Sequence, residues 1–303
     1  MTVRPISPPD YPLLAQSGGY ASQYGKNIQR WLDKGYVEAP DCYVFEAGGA
    51  LIGGVCFCDD TETDREILDF AINEIGPDAY QYLKLAAGYA AKPQTRKISY
   101  NLYNDTEQYA DIVKIFHQCG FTTYQEKLRY EYQGPPPPSP AVLNFKPVSE
   151  VGEAAFTAMV EGVTVGIMDK IIAEDAARLG GQKAAQEYVD GLKKMDFNPN
   201  WWCLGYAGDE AVGLILPQKF SDDIGAINYV GVLPKHRGKG YGVPLLAEGT
   251  RMLIESGVKK VIADIDVENK PMINAFESVG YAFRMEEVVL TLEVFTPKAP
   301  QTL

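Results

Sequence analysis

The sequence predicts an α/β (α+β) protein that is built from two domains of similar design. A proline-rich segment, residues 134–140, divides the 303 residues into halves of similar length. Consecutive prolines hold an extended spacer that can join neither a helix nor a central strand. The two halves also repeat their turn residues at one offset of 160, as in Gly120-Phe121 and Gly280-Tyr281. The chain therefore looks like a tandem repeat.

Further matches at the same offset strengthen this interpretation. They comprise Ile52-Gly53 with Val212-Gly213, Phe116 with Phe276, and the alternating Leu128, Tyr130 and Tyr132 with Val288, Leu290 and Leu292. We predict one domain over 1–133, a linker over 134–144 and a second domain over 145–303. The length of the chain agrees with two domains of ordinary size.

The order of predicted elements is the same in both halves. In the first half it is a hairpin over 43–58, a strand over 67–72, a helix over 80–91, a strand over 98–102 and a helix over 108–119, which Gly120 ends. In the second half a hairpin over 201–219 and a strand over 226–232 are followed by a helix, a strand over 260–266, a further helix and a last strand. A helical insert over about 151–195 precedes them, and its Met159, Val163, Val165 and Met168 are candidates to line a cleft.

Composition excludes several classes of function. The net charge of −12 argues against nucleic-acid binding. The five cysteines show no zinc spacing, their odd number argues against a disulfide framework, and we expect no metal. No secretion signal or membrane-spanning stretch is visible, so we expect a cytoplasmic protein that does not bind membranes.

The most informative stretch runs from Val232 to Gly242, between a predicted strand and the helix that begins near Pro244. Glycines at 238, 240 and 242 let the backbone approach an anion, and the N–H groups and dipole of the following helix favour negative charge. The stretch matches neither the Gly-x-x-x-x-Gly-Lys-Ser/Thr string of a P-loop nor the Gly-x-Gly-x-x-Gly string of a dinucleotide loop. A different phosphate-binding loop is therefore predicted.

The string Arg237-x-x-Gly240-x-Gly242, preceded by Val232-x-Pro234, resembles the acyl-CoA pyrophosphate loop of the GNAT superfamily of N-acetyltransferases. This resemblance is specific over about 201–292 and topological over the first half. It implies two GNAT-like domains, each with a mixed, mostly antiparallel sheet flanked by helices, and acetyl-CoA as co-substrate. The residues that it assigns to acyl-CoA are Gly231, Val232, Arg237, Gly238, Lys239, Gly240, Tyr241, Gly242, Val243, Asn269 and Phe276.

The resemblance also suggests catalytic residues. Asp264 lies five residues before Asn269, the position of the proposed general base in related enzymes; the alternative is a solvated acid at a strand end. Many family members carry a tyrosine, the acid for the departing thiolate, where this chain has Phe276, so Tyr229 and Tyr281 are the nearby candidates. A backbone N–H of Gly231 or Val232 would polarise the acyl carbonyl. A route through Cys203 as nucleophile is disfavoured because no histidine has an evident reason to approach it.

The first half lacks the phosphate loop. At the offset of 160, Arg237, Gly238, Gly240 and Gly242 correspond to Pro77, Asp78, Tyr80 and Tyr82. The arrangement resembles tandem GNAT enzymes in which one half is degenerate.

Three functions remain open from the sequence. The first is acetyl transfer by direct attack of an amine, with a small-molecule amine or a peptide N-terminus as acceptor. The second is acyl-CoA binding or sensing without turnover, which Phe276 motivates. The third is a scaffold whose first half mediates homodimer formation.

Overall fold

The structure, a computed structural model, describes residues 1–194 and 197–294. The described chain forms two compact units. One comprises Met1–Tyr124 together with the chain from Val288 onward, and the other comprises Gln125–Glu287.

The first unit is a sheet with helices on both faces. Its strands follow the spatial order β1-β2-β3-β4-β5, and every pair is antiparallel except β4 with β5. Leu83 and Phe116 pack on one face of this sheet, and Tyr24 and Ile28 pack on the other. The elements in chain order are β1 (Thr2–Pro5), α1 (Asp10–Ser17), α2 (Gly19–Asp33), β2 (Cys42–Ala47), β3 (Ala50–Asp59), β4 (Asp64–Ile72), α3 (Ala79–Ala90), β5 (Lys97–Tyr103) and α4 (Tyr109–Gln118).

The second unit repeats this plan with an additional pair of helices. After β6 (Thr122–Tyr132) come β7 (Asn144–Pro147), α5 (Val148–Val151), α6 (Glu153–Thr164), α7 (Lys170–Leu179), α8 (Gly181–Lys193), β8 (Cys203–Ala207), β9 (Glu210–Lys219), β10 (Ile224–Val232), α9 (Gly242–Glu255), β11 (Lys260–Asp266), α10 (Lys270–Val279) and β12 (Ala282–Glu293). Its strand order is β6-β11-β10-β9-β8-β7, and only β10 and β11 are parallel. Helices α6 and α8 cover one face, and α9 and α10 cover the other.

Each unit receives its last strand from the opposite half of the sequence. Strand β6 precedes the linker, yet Lys127–Tyr132 pair with β11 in the second unit. Strand β12 ends the described chain, yet Val288 and Leu290 are buried in the core of the first unit beside Phe116. The chain has therefore exchanged its two terminal strands between the repeats.

The predicted fold class is confirmed. Strands β3 and β4 lie 160 residues before β9 and β10, in agreement with the predicted repeat. The domain limits predicted from the linker stay a prediction, and the compact units differ from them because β6 and β12 change sides. Met195, the last residue of the predicted helical insert, lies outside the described residues. None of the helices in the described chain combines the length and the apolar character needed to cross a membrane.

Candidate active site

A cavity of about 540 Å³ opens in the second unit where β10 and β11 separate. The two strands pair only from Ile224 to Ala226, opposite Lys260 to Ile262. Beyond these pairs the strands border the cavity with Tyr229, Val232, Asp264 and Asp266, among others. The volume is typical of a small-molecule site.

One wall of the cavity is the predicted phosphate loop. Gly238 and Gly240 have φ angles of +76° and +82°, and nothing lies within 4 Å of a Cβ placed at either residue. Helix α9 starts at Gly242 without a side-chain cap. Among the described residues, no backbone hydrogen bond is donated by the N–H groups of Gly238, Lys239 or Gly240. These free donors at a helix N-terminus suit an anionic group such as a pyrophosphate.

Arg237 does not direct its guanidinium into this loop. Its Nη2 donates to the carbonyl oxygens of Val163 and Val165 at 2.9 and 2.7 Å, and Nη1 donates to that of Gly166 at 3.1 Å. Its Nε donates to the carbonyl of Val232 at 3.1 Å. The carbonyls of Val163, Val165 and Gly166 lie at the C-terminal end of α6 and just beyond it, where a cation is favoured. The side chain therefore joins the end of β10 to the wall that α6 and the following segment form.

The strand next to the loop supplies one backbone donor on the cavity side. The N–H of Leu233 donates to Val212 on β9 at 2.9 Å. In an antiparallel pair, the backbone N–H groups of successive residues point alternately toward the partner strand and away from it. The Gly231 N–H therefore also faces β9, and the Val232 N–H faces away from it. Of the two predicted oxyanion donors, Val232 is therefore the one with an available N–H. Gly231 has a different role: a Cβ there would lie 2.7 Å from Val163, so glycine permits the close approach of α6.

Tyr229 is a buried phenol that borders the cavity. A register shift between Ile227 and Tyr229 marks a β-bulge on β10, and such bulges redirect side chains. The Tyr229 hydroxyl lies 3.0 Å from Thr164 Oγ1, and its ring packs edge-on against Tyr188. Burial raises the pKa of Tyr229 to about 12. The hydroxyl therefore keeps its proton at neutral pH and can donate it.

Tyr281, the other predicted acid, lies in the core and is not among the cavity residues. Its hydroxyl lies 2.7 Å from Thr250 Oγ1, its ring packs edge-on against Phe276, and burial raises its pKa. Tyr281 is the last residue of the turn from α10 into β12, and its ring packs into the apolar core. Phe276 borders the cavity but is itself a core residue, 2% exposed.

Asp264 borders the cavity in an ion pair. Its two carboxylate oxygens accept hydrogen bonds from Arg129 Nε and Nη2 at 2.8 and 2.7 Å. This bidentate pair with arginine occupies both carboxylate oxygens. The role of general base remains a prediction for Asp264, and this pairing does not favour it.

Two further carboxylates border the cavity, and the sequence interpretation missed both. Asp169 caps α7, because its Oδ1 accepts the N–H of Ile172 at 3.0 Å. Asp266 is 8% exposed, and its Oδ1 accepts the N–H of Glu268 at 2.8 Å. Asp266 follows Asp264 by two residues and so shares its strand face, which was the available signal. For Asp169 the signal was a capping residue before a run of helical residues.

The remaining predicted residues are placed as follows. Asn269 borders the cavity and caps α10 through the N–H of Met272, as predicted. The loop residues that border the cavity are Gly238, Gly240, Tyr241, Gly242 and Val243. Lys239 does not border it, and its Nζ lies 3.4 Å from His236 Nδ1. Of the predicted cleft residues, Val163 and Met168 border it, Met159 is in the core and Val165 is exposed. Burial raises the pKa of the Cys203 thiol to about 12, which disfavours a thiolate nucleophile.

Comparison with known proteins assigns this region to a class. Residues 170–281 match the acetyltransferase (GNAT) family. The predicted resemblance to this family is therefore confirmed over these residues.

Individual relatives are more distant. A mycothiol acetyltransferase of Corynebacterium efficiens is 35% identical over 82 residues, which cover 27% of this chain and 28% of that enzyme. The match thus spans less than a third of the length of that mycothiol acetyltransferase. A GCN5-related N-acetyltransferase from Sphaerobacter thermophilus superposes with a TM-score of 0.68 at 16% identity, over 96% of this chain and 95% of the other. A tandem GNAT protein from the clavulanic acid biosynthesis pathway superposes with a TM-score of 0.62 at 12% identity, over 96% of this chain and 98% of the other. At such identities these two structures show a shared fold.

Proposed function

We propose that this protein transfers an acetyl group from acetyl-CoA to a primary amine by direct attack. The observation that carries the proposal is the cavity between the separated β10 and β11, with free N–H donors of the glycine loop at one end. The loop would hold the pyrophosphate, the gap between the strands would hold the pantetheine arm, and the Val232 N–H would polarise the acyl carbonyl. The family match and the acetyltransferase names of relatives support an acetyl group.

Tyr229 is the acid of this proposal. Its phenol borders the cavity and carries a proton that Phe276, at the position of the family's tyrosine, does not have. It would protonate the departing CoA thiolate. The acceptor amine must lose a proton to a carboxylate, for which Asp264 is the residue predicted from the resemblance.

Acyl-CoA binding without turnover is the second candidate, and Phe276 is the observation that favours it. Release of free thiol from acetyl-CoA in the presence of a panel of amines separates the two functions. Turnover above the uncatalysed rate supports the transferase. Calorimetric binding of acetyl-CoA with no thiol release for any amine would instead favour the sensor.

The loop itself is tested by Gly240→Glu, which places bulk and negative charge where the pyrophosphate would lie. We expect acetyl-CoA binding to be lost. Gly49→Glu is the matched control, because Gly49 has the same φ of +82° and the same open surroundings, in the β2–β3 turn. Both variants carry the same backbone strain. Unchanged calorimetric affinity in a folded Gly240→Glu protein would show that the loop does not bind acetyl-CoA.

A further inference from the structure

Charged and polar side chains of β6 lie beside the two β11 aspartates that border the cavity. Asp264 lies opposite Arg129 and Asp266 lies opposite Lys127 in the β6–β11 pair. Alternate residues of a strand share a face, so Gln125, Lys127 and Arg129 form one row beside the two aspartates. Three members of this set come from β6, which precedes the linker.

The carboxylates of this face differ in their partners. Asp264 forms an ion pair with Arg129. Asp169 and Asp266 instead share one donor, because Gln125 Nε2 donates to Asp169 Oδ2 at 3.3 Å and to Asp266 Oδ2 at 3.0 Å. Lys127 is a cation beside this pair, because its Nζ is 3.7 Å from Asp169 Oδ2. Two carboxylates that border the cavity thus share one amide donor, with a lysine beside one of them.

The amide of Gln125 adds a second, independent observation. Gln125 is 3% exposed, and among the described residues its Oε1 has no hydrogen-bond partner. The two carboxylates determine the orientation of the amide, since a rotated amide would set its oxygen against theirs. A buried acceptor without a donor is costly and calls for a ligand or water. Two carboxylate oxygens and one amide oxygen form a set of acceptors that an ammonium group, with three donors, can satisfy.

We propose that Asp169, Asp266 and Gln125 bind the ammonium group of the acyl acceptor, and that Asp169 takes its proton. This inference rests on the proposed function. Ile167, Met168, Ile172 and Met272 border the same cavity and would contact an apolar body attached to the amine. The acceptor class is therefore an alkylamine with an apolar substituent and no carboxylate beside the nitrogen, since a carboxylate would face the two aspartates.

The chemical step balances as follows. Asp169 Oδ2 takes one proton from the ammonium group and leaves a neutral amine. The amine nitrogen attacks the thioester carbonyl and forms the C–N bond. A second proton leaves the nitrogen for solvent as the tetrahedral adduct collapses and the C–S bond breaks. The CoA thiolate then takes a proton from Tyr229, which solvent restores. Asp169 then releases its proton to solvent, and Asp266 holds the amine in place.

Binding of a probe amine tests this site without depending on turnover. Full-length protein is titrated calorimetrically with 2-phenylethylamine, with and without saturating coenzyme A, and with 2-phenylethanol and phenylalanine as comparisons. We expect the amine to bind and the alcohol and the amino acid to bind at least tenfold more weakly. Asp169→Asn and Gln125→Leu should lower the affinity for the amine about tenfold to a hundredfold, the value of one charge-assisted hydrogen bond.

Glu268→Gln is the matched control, because it removes one exposed carboxylate that does not border the cavity. It should bind the amine like the wild type. Asn at 169 can still accept the N–H of Ile172, so this variant should keep its melting temperature. Failure of the wild type to bind the amine in either condition would overturn the inference. Equal binding of the alcohol, or unchanged affinity in folded Asp169→Asn, would overturn it too. Failure of the proposed function would appear separately, as an absence of thiol release.

Discussion

Arg237 binds four backbone carbonyls, and this arrangement changes the role expected of a cation in a phosphate loop. Arg237→Ala should free the segment after α6 and raise the KM for the acceptor amine about tenfold, equivalent to about 1.4 kcal/mol. The KM for acetyl-CoA should change less, because the loop N–H groups remain. Steady-state kinetics with each substrate varied in turn measures the two KM values separately.

Lys239→Ala provides the comparison for this prediction. Lys239 is a cation on the same loop, exposed, and its described contact is His236. The Lys239→Ala substitution should leave the KM for the acceptor amine unchanged. A rise in the KM for acetyl-CoA alone in Arg237→Ala would instead return Arg237 to the phosphate-binding role that the motif predicts.

Tyr229 and Tyr281 present two buried phenols, of which one reaches the cavity. Tyr229→Phe should lower kcat about 10²-fold, the low end for a general acid, because a thiol with a pKa near ~8.5 is already a fair leaving group. Tyr281→Phe should leave kcat unchanged. Since burial raises the pKa of Tyr229 to about 12, wild-type kcat should not fall through its deprotonation until the pH approaches that value. Equal kcat in the wild type and Tyr229→Phe would assign protonation of the thiolate to solvent.

At the scale of elements, β6 is the strand on which the second unit depends. A fragment of residues 141–303 lacks β6, so β11 would have an unpaired edge, and the aspartates at the cavity would lose their contacts with Gln125, Lys127 and Arg129. We expect this fragment to unfold at lower urea concentration than residues 122–303, or to aggregate, as exposed strand edges do. Both fragments lack residues 1–121, so the difference isolates β6 together with the proline-rich segment that follows it. Equal urea midpoints would show that β6 is dispensable.

The sequence predicts those elements whose signals are local. The glycine loop, the Asn269 cap and the β11 strand over 260–266 follow from turn, capping and alternation rules, and the structure has them as predicted. Helices α1 and α2 were not predicted. Helix α2 begins at Gly19, directly after Gly18, so no capping side chain marks its start. Gln125 could not be found, because no local pattern shows that β6 pairs across the linker. Strand pairing between distant segments is therefore the part of the fold that could not be predicted from this single sequence.

At the scale of the molecule, the two repeats predict one acyl-CoA per chain. Where the second unit has its glycine loop, the first has Tyr80 and Tyr82, and Tyr82 is 7% exposed with its ring 5.2 Å from that of Phe45. These aromatic rings add bulk at the positions that correspond to Gly240 and Gly242. Calorimetric titration of the full chain with coenzyme A should saturate at one equivalent. Two equivalents, with one retained in Gly240→Glu, would show a second site in the first unit.

The exchange of β6 and β12 also sets the order in which a growing chain can complete its parts. Domains generally fold as units during synthesis, the N-terminal one first. Here the first unit needs Val288 and Leu290 in its core, and these residues are made only after the whole of the second unit. The second unit is complete once Glu287 has been made. The repeat that starts first therefore finishes last, and until then its apolar core has an open side for a chaperone, or another chain, to cover.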